Sequence, residues 1–107
     1  MSDLVARLGG LEGRGPLWGT ASEDLNATLL AWPPGETTPE HVNAERDVLL
    51  VVMTGSGIIT VDGVAHEVVA EDAVVVPKGA ARSIAAGPEG IRYLSVHLRR
   101  TLGITRP

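Results

Sequence analysis

Six polar side chains in this sequence have the types and spacing from which a functional site could be built. They are His41, Asn43, Asp47, Arg82, Tyr93 and His97. Histidine titrates near neutral pH and its neutral ring donates a lone pair, so it can transfer protons or bind a metal ion. Arginine keeps its positive charge and offers five N–H donors and no acceptor, which suits a carboxylate or a phosphate. The set therefore allows proton transfer, metal binding or anion binding.

The chain that must position these residues has the pattern of an all-β domain. It contains 13 glycines and seven prolines, more than a helical bundle tolerates, and they separate short apolar runs. The runs predict strands at residues 25–32, 48–53, 58–61, 64–69, 73–76, 83–86 and 91–98. Asp62-Gly63 predicts a hairpin, because glycine supplies the positive φ of such turns. Short antiparallel strands without intervening helices predict a sandwich or closed barrel.

Three segments are expected along the chain. Residues 1–24 form an N-terminal arm, with a short helix over residues 1–12 or an edge strand. Residues 25–98 form the barrel, with turns at Gly55-Ser56-Gly57 and at residues 87–90. Residues 99–107 form a solvated basic tail. The chain is long enough for one domain and too short for two.

The last predicted strand divides its side chains between two faces. Tyr93, Ser95 and His97 share one face, and Leu94, Val96 and Leu98 share the other. The polar face points either into the interior or into solvent. The apolar face, or the alternative set Leu49, Val51 and Met53, is available for pairing two copies of the chain. A small all-β protein has strand edges to cover, so we expect a homodimer.

Composition excludes several classes of partner. The net charge of −4 argues against nucleic acid, which needs a positive footprint. No apolar run reaches the roughly 20 residues of a membrane helix, and the N-terminus lacks a signal-peptide pattern. There are no cysteines, so disulfides and thiolate chemistry are unavailable. These features predict a cytoplasmic protein whose partners are a small molecule and a second copy of itself.

Two motifs have a spacing that points to a family. Gly35 is followed after five residues by His41 and then by Asn43, and residues 77–82 read Pro-x-Gly-x-x-Arg. This layout resembles the cupins, small antiparallel β-barrels of jelly-roll type, over about residues 25–98. The resemblance implies a single-domain cupin barrel, in which the last strand contributes to the pocket wall. That implication favours an inward orientation for Tyr93 and His97.

The resemblance is incomplete at the places where cupins hold a metal. Asn43 stands at the second histidine and Arg82 at the last one, so His41 alone carries a usual ligand. Counting forward from Asn43 puts Asp47 at the glutamate place, whereas counting back from the closing glycine puts Val48 there. A guanidinium about 4 Å from a divalent ion would repel it by about 8 kcal/mol at an effective dielectric near 20. The sequence therefore predicts a degraded metal site.

The expected function is that of a small-molecule-binding barrel without a cofactor, whose pocket suits a small carboxylate or phosphate. All six polar residues are candidate ligand-binding residues. An ion pair of Arg82 with Asp47 or Glu45 is the structural alternative to anion binding. The rival hypothesis is an isomerase- or oxygenase-type enzyme that uses His41 and His97, either as a metal-free proton-transfer pair or as ligands of a divalent metal. A third alternative is an interaction scaffold.

Overall fold

The computed structural model of the protein describes residues 4–99. One 3₁₀ turn, Leu8–Gly10, precedes seven strands, and the described residues contain no α-helix. The strands are β1 (Gly15–Ala21), β2 (Leu25–Trp32), β3 (His41–Val42), β4 (Val48–Val61), β5 (Val64–Val69), β6 (Ala73–Val76) and β7 (Ala81–Leu98). All the pairings are antiparallel. The predicted all-β jelly-roll barrel is confirmed.

The two longest strands, β4 and β7, connect the two halves of the barrel. They pair in two stretches, with residues 49–55 of β4 opposite residues 91–96 of β7, and residues 57–61 opposite 82–86. The first stretch is extended by β2, β1 and β6, and the second by β3 and β5. The register shifts once within the first stretch, between Val52 and Thr54, and once between the stretches, between Gly55 and Gly57, and such bulges bend a strand.

The predicted turns at Gly55-Ser56-Gly57 and at residues 87–90 lie instead within continuous strands. Gly55 has a φ of 83° and Gly90 a φ of 81°. A side chain at position 55 would run into the carbonyl of Gly90, so glycine lets β4 and β7 approach closely here. The glycines therefore mark a bend rather than a chain reversal. By contrast, the Asp62-Gly63 hairpin is confirmed, with φ values of 48° and 82°.

The N-terminal arm is a strand attached to the sheet edge rather than a helix. Residues 4–12 contain only the 3₁₀ turn, and residues 1–3 of the predicted helix lie outside the described part of the chain. Arg92 of β7 donates hydrogen bonds to the carbonyls of Leu8 and Leu11 at 2.8 and 2.6 Å. These bonds hold the arm against the barrel. Of the predicted tail, only Arg99 lies among the described residues.

The core fills the space between the two halves of the barrel. Its largest fully buried members are Val48, Leu50, Val52, Ile59, Val76 and Ile91. The opposite face of the first half is also apolar, because Leu49 pairs with Val96 and Val51 with Leu94. Leu49, at 38%, is partly exposed on this face. Homodimerisation through it stays a prediction. No helix among residues 4–99 is long and apolar enough to cross a membrane.

Candidate functional site

A cavity of about 210 Å³ opens inside the barrel. Strands β2, β3 and β7 and the segment between β2 and β3 supply its walls. The lining residues are Leu30, Trp32, Thr38, Pro39, His41, Arg82, Ile84 and Tyr93. Three of the six predicted site residues, His41, Arg82 and Tyr93, therefore lie in one cavity.

Arg82 and His41 face each other across the β3–β7 pairing. The two residues are register partners, so their side chains lie on the same face of the sheet. Arg82 is half-buried, and its Nη1 atom is buried without any hydrogen-bond partner among residues 4–99. Burial lowers the pKa of Arg82 from its ordinary value, and the nearby Tyr93 opposes this effect. His41 is exposed, which places it at the mouth of the cavity.

Tyr93 presents a buried hydroxyl whose orientation is fixed by Trp32. The indole Nε1–H donates a hydrogen bond to the Tyr93 oxygen at 2.9 Å. Burial raises the pKa of Tyr93, while the Trp32 hydrogen bond and the charge of Arg82 act in the opposite direction. Tyr93 is only 4% exposed, and it forms part of the cavity wall.

Thr38 is a second hydroxyl in the cavity, and the sequence interpretation did not include it. Its Oγ1 accepts a hydrogen bond from the Ile84 N–H at 3.0 Å, and its own N–H donates to the Ile84 carbonyl at 2.9 Å. These bonds hold the segment between β2 and β3 against β7. A threonine before the proline of the first motif carries no sequence signal of its own. Only the pairing with β7 reveals its role.

Asn43 and Asp47 are not among the residues that line this cavity, contrary to the prediction. The Asn43 Oδ1 accepts hydrogen bonds from the backbone N–H groups of Glu45 and Arg46 at 3.2 and 3.1 Å. The Asp47 Oδ1 accepts one from the Lys78 N–H at 2.9 Å. The Asn43 side chain orders the loop between β3 and β4, because short polar side chains readily bond nearby backbone in turns. The Asp47 side chain instead ties that loop to the turn between β6 and β7.

His97 is also absent from this cavity, so the expected pairing with His41 is not seen. His97 is the second-last residue of β7, and its Nδ1–H donates to the Leu98 carbonyl at 2.7 Å. Although it has the strand parity of Tyr93, it lies four residues further along β7, beyond the cavity wall. The predicted ion pair of Arg82 is likewise not found at Nη1, since neither Asp47 nor Glu45 accepts a hydrogen bond from that atom.

The residues at the cavity do not fit a metal ion. Within residues 4–99, no three histidine, cysteine, aspartate or glutamate side chains come together as a metal site would require. His41 is the one imidazole in the cavity, and its register partner is a guanidinium, which has no lone pair to donate and repels cations. The donor set thus suits a negative group better than a positive one.

A second polar cluster lies on the outer side of Trp32. The Arg14 guanidinium lies 5.4 Å from the centroid of the Trp32 ring and forms an ion pair with Glu36. The Arg14 Nε also donates to the Glu36 Oε1 at 3.0 Å. The ion pair lowers the pKa of Glu36 and raises that of Arg14. The cluster joins the N-terminal arm to the segment that covers the cavity.

Comparison with known proteins gives the same family as the geometry. The model of the family described as "Cupin domain" matches residues 28–97. The chain belongs to the cupin family. This cupin is 36% identical over 73 residues to dimethylsulfoniopropionate lyase DddW of Ruegeria pomeroyi. The match covers 68% of this chain and 47% of the lyase, so the chain spans about half the length of that relative.

Solved structures show the same fold. A cupin protein from Bacteroides fragilis superposes with a TM-score of 0.75 at 20% identity, covering all of this chain and 92% of the other. A cupin superfamily protein from Desulfitobacterium hafniense gives 0.70 at 25% identity, with 84% of each chain covered. KdgF from Halomonas sp. gives 0.72 at 17% identity, covering 86% of this chain and 82% of that one. The first and third of these likenesses concern the fold alone.

Proposed function

We propose that this cupin binds a small anion inside its barrel, with Arg82 as the main binding group. One observation carries the proposal: Arg82 lines the cavity, and its Nη1 is buried without a hydrogen-bond partner among the described residues. A buried charged donor without an acceptor is costly, and a carboxylate or phosphate would satisfy it through charge-assisted hydrogen bonds. His41 and Tyr93 are the polar neighbours of that anion.

Binding in this proposal needs no metal ion. Arg82 supplies the positive charge that an anionic ligand would otherwise obtain from a cation. Divalent metal ions should therefore have no effect on anion binding. Metal analysis of protein purified without chelator tests this directly, and stoichiometric metal that is lost in His41→Ala would contradict it.

A thermal-shift series tests the anion site. Small organic acids and inorganic phosphate are added to the native protein, to Arg82→Met and to Arg99→Met, with and without divalent metals. Arg99 is exposed and is not among the residues that line the cavity, so it is a matched control for the loss of one positive charge. We expect anions to raise the melting temperature of the native protein and of Arg99→Met but not of Arg82→Met. A response that survives Arg82→Met would refute the proposal.

An enzymatic role is the second candidate, supported by the position of His41. This imidazole is at the cavity mouth, opposite the residue proposed to hold the anion, and it can remove a proton from a ligand bound there. The 36% identical relative is a lyase by name, and its named substrate is a propionate. Dimethylsulfoniopropionate consumption, followed by NMR, should be lost in His41→Gln while the anion-induced thermal shift remains. No consumption by the native protein would leave binding as the function.

A further inference from the structure

Three polar groups of the cavity, Arg82, Tyr93 and Thr38, share a property that narrows the ligand class: each has a hydrogen-bond donor that the described residues leave free. The Tyr93 oxygen accepts from Trp32 and the Thr38 oxygen accepts from the Ile84 N–H. Neither hydroxyl has another hydrogen bond among the described residues, so each O–H is left to donate. Arg82 has donors only.

We propose that Tyr93 and Thr38 bind the ligand together with Arg82, and that the ligand is a short-chain monocarboxylate. This inference rests on the proposed anion site and adds two residues and a ligand class to it. The guanidinium fork and the two hydroxyls offer four donors, and the two oxygens of a carboxylate offer about four acceptor positions. An ammonium has no acceptor and would leave these O–H groups unsatisfied, and a neutral amide offers one acceptor oxygen where a carboxylate offers two.

Charge balance favours a carboxylate over a phosphate. Among residues 4–99, Arg82 is the one permanently charged group that lines the cavity, and a carboxylate brings one negative charge. A phosphate group carries nearly two negative charges at neutral pH. The second charge would remain unpaired in a partly desolvated site, which is costly. Phosphate therefore fits this cavity less well.

The rest of the cavity describes the remainder of the ligand. Leu30, Pro39 and Ile84 provide an apolar wall, with the Trp32 ring beside it. At about 30 Å³ for each water in the liquid, a volume near 210 Å³ has room for about seven waters. A carboxylate with a few carbon atoms fills this space, and its apolar chain is covered by the wall.

The test compares three probes on the native protein and on four variants of the whole chain, Arg82→Met, Tyr93→Phe, Thr38→Val and Thr38→Ser. Butyrate, butyramide and inorganic phosphate are titrated into the native protein by calorimetry. Butyrate should bind, and the amide and phosphate should bind at least about tenfold more weakly. Tyr93→Phe and Thr38→Val should each weaken butyrate binding by about tenfold or more, while Thr38→Ser, which keeps the hydroxyl, should remain within about threefold. Circular dichroism checks that each variant is folded.

A spectroscopic measurement separates ligand contact from a merely structural role. Tyr93 is the single tyrosine of the chain, so its phenolate absorbance can be titrated without interference from another tyrosine. Bound butyrate places a negative charge beside the hydroxyl and should raise the Tyr93 pKa further, whereas butyramide should not.

The outcomes distinguish the two proposals. If butyrate binds and depends on Arg82 but Tyr93→Phe and Thr38→Val bind it normally, the role of the two hydroxyls is refuted and the anion site stands. If phosphate binds as tightly as butyrate, the choice of a carboxylate is wrong. If neither anion binds through the millimolar range, both proposals fail.

Discussion

Replacing Arg82 by methionine should stabilise the ligand-free protein while abolishing anion binding. Methionine keeps much of the length of the side chain and removes the buried Nη1, which has no hydrogen-bond partner in the described part of the chain. An unsatisfied buried donor costs about 1–3 kcal/mol, and because Arg82 is only half-buried we take the lower end, about 1 kcal/mol. For a domain of this size, 1 kcal/mol raises the melting temperature by about 4–8 °C.

The same substitution should lower anion affinity substantially. A hydrogen bond to a charged group contributes about 1.5–3 kcal/mol, which corresponds to about a 10- to 150-fold loss of affinity. Differential scanning calorimetry measures the stability, and isothermal titration with butyrate measures the binding. Opposite changes in the two quantities are characteristic of a residue kept for function rather than for the fold.

Arg92→Met is the matched control, because Arg92 lies on the same strand and its Nη1 and Nη2 both have hydrogen-bond partners. It donates to the carbonyls of Leu8 and Leu11, so its loss should lower the melting temperature by several degrees. If Arg82→Met were destabilising to the same extent as Arg92→Met, Arg82 would have an internal partner. That result would refute the proposed anion site at Arg82.

Three further predictions use the same reasoning. Tyr93 should titrate above its ordinary pKa of about 10, and Arg82→Met should raise the Tyr93 pKa further because it removes a positive charge. The stability of the protein should fall as pH rises through the Tyr93 pKa. The lowered pKa of Glu36 contributes stability that is lost in acid as pH falls through that pKa, and Glu36→Gln should remove this pH dependence, measured by thermal melts. Gly55→Ala should cost about 3–5 kcal/mol in urea unfolding, against about 1–2 kcal/mol for Gly63→Ala, where space is open; equal costs would contradict the close approach.

Much of the architecture follows from local sequence signals. Strands β2, β5 and β6 were predicted with the bounds that the structure has, because alternating or continuous apolar runs end at clear turn residues. The hairpin at Asp62-Gly63 depends on the conformational freedom of two residues and can be inferred from them alone. Failures occurred where a glycine serves a long-range contact. Gly55 and Gly90 permit two strands to touch, and a sequence pattern cannot distinguish that use from a turn.

For the candidate site too, part could be predicted from the sequence and part only from the tertiary structure. Residue types alone determined that Arg82 cannot act as a metal ligand and that a guanidinium favours an anion, since these are properties of the side chain. Which groups surround Arg82 was decided by the tertiary structure. Strand pairing brings His41 opposite Arg82 and Thr38 beside Ile84, whereas local hydrogen bonds keep Asn43 in its own loop. The chemistry of a residue follows from its type, but its neighbours depend on the register between strands that are distant in sequence.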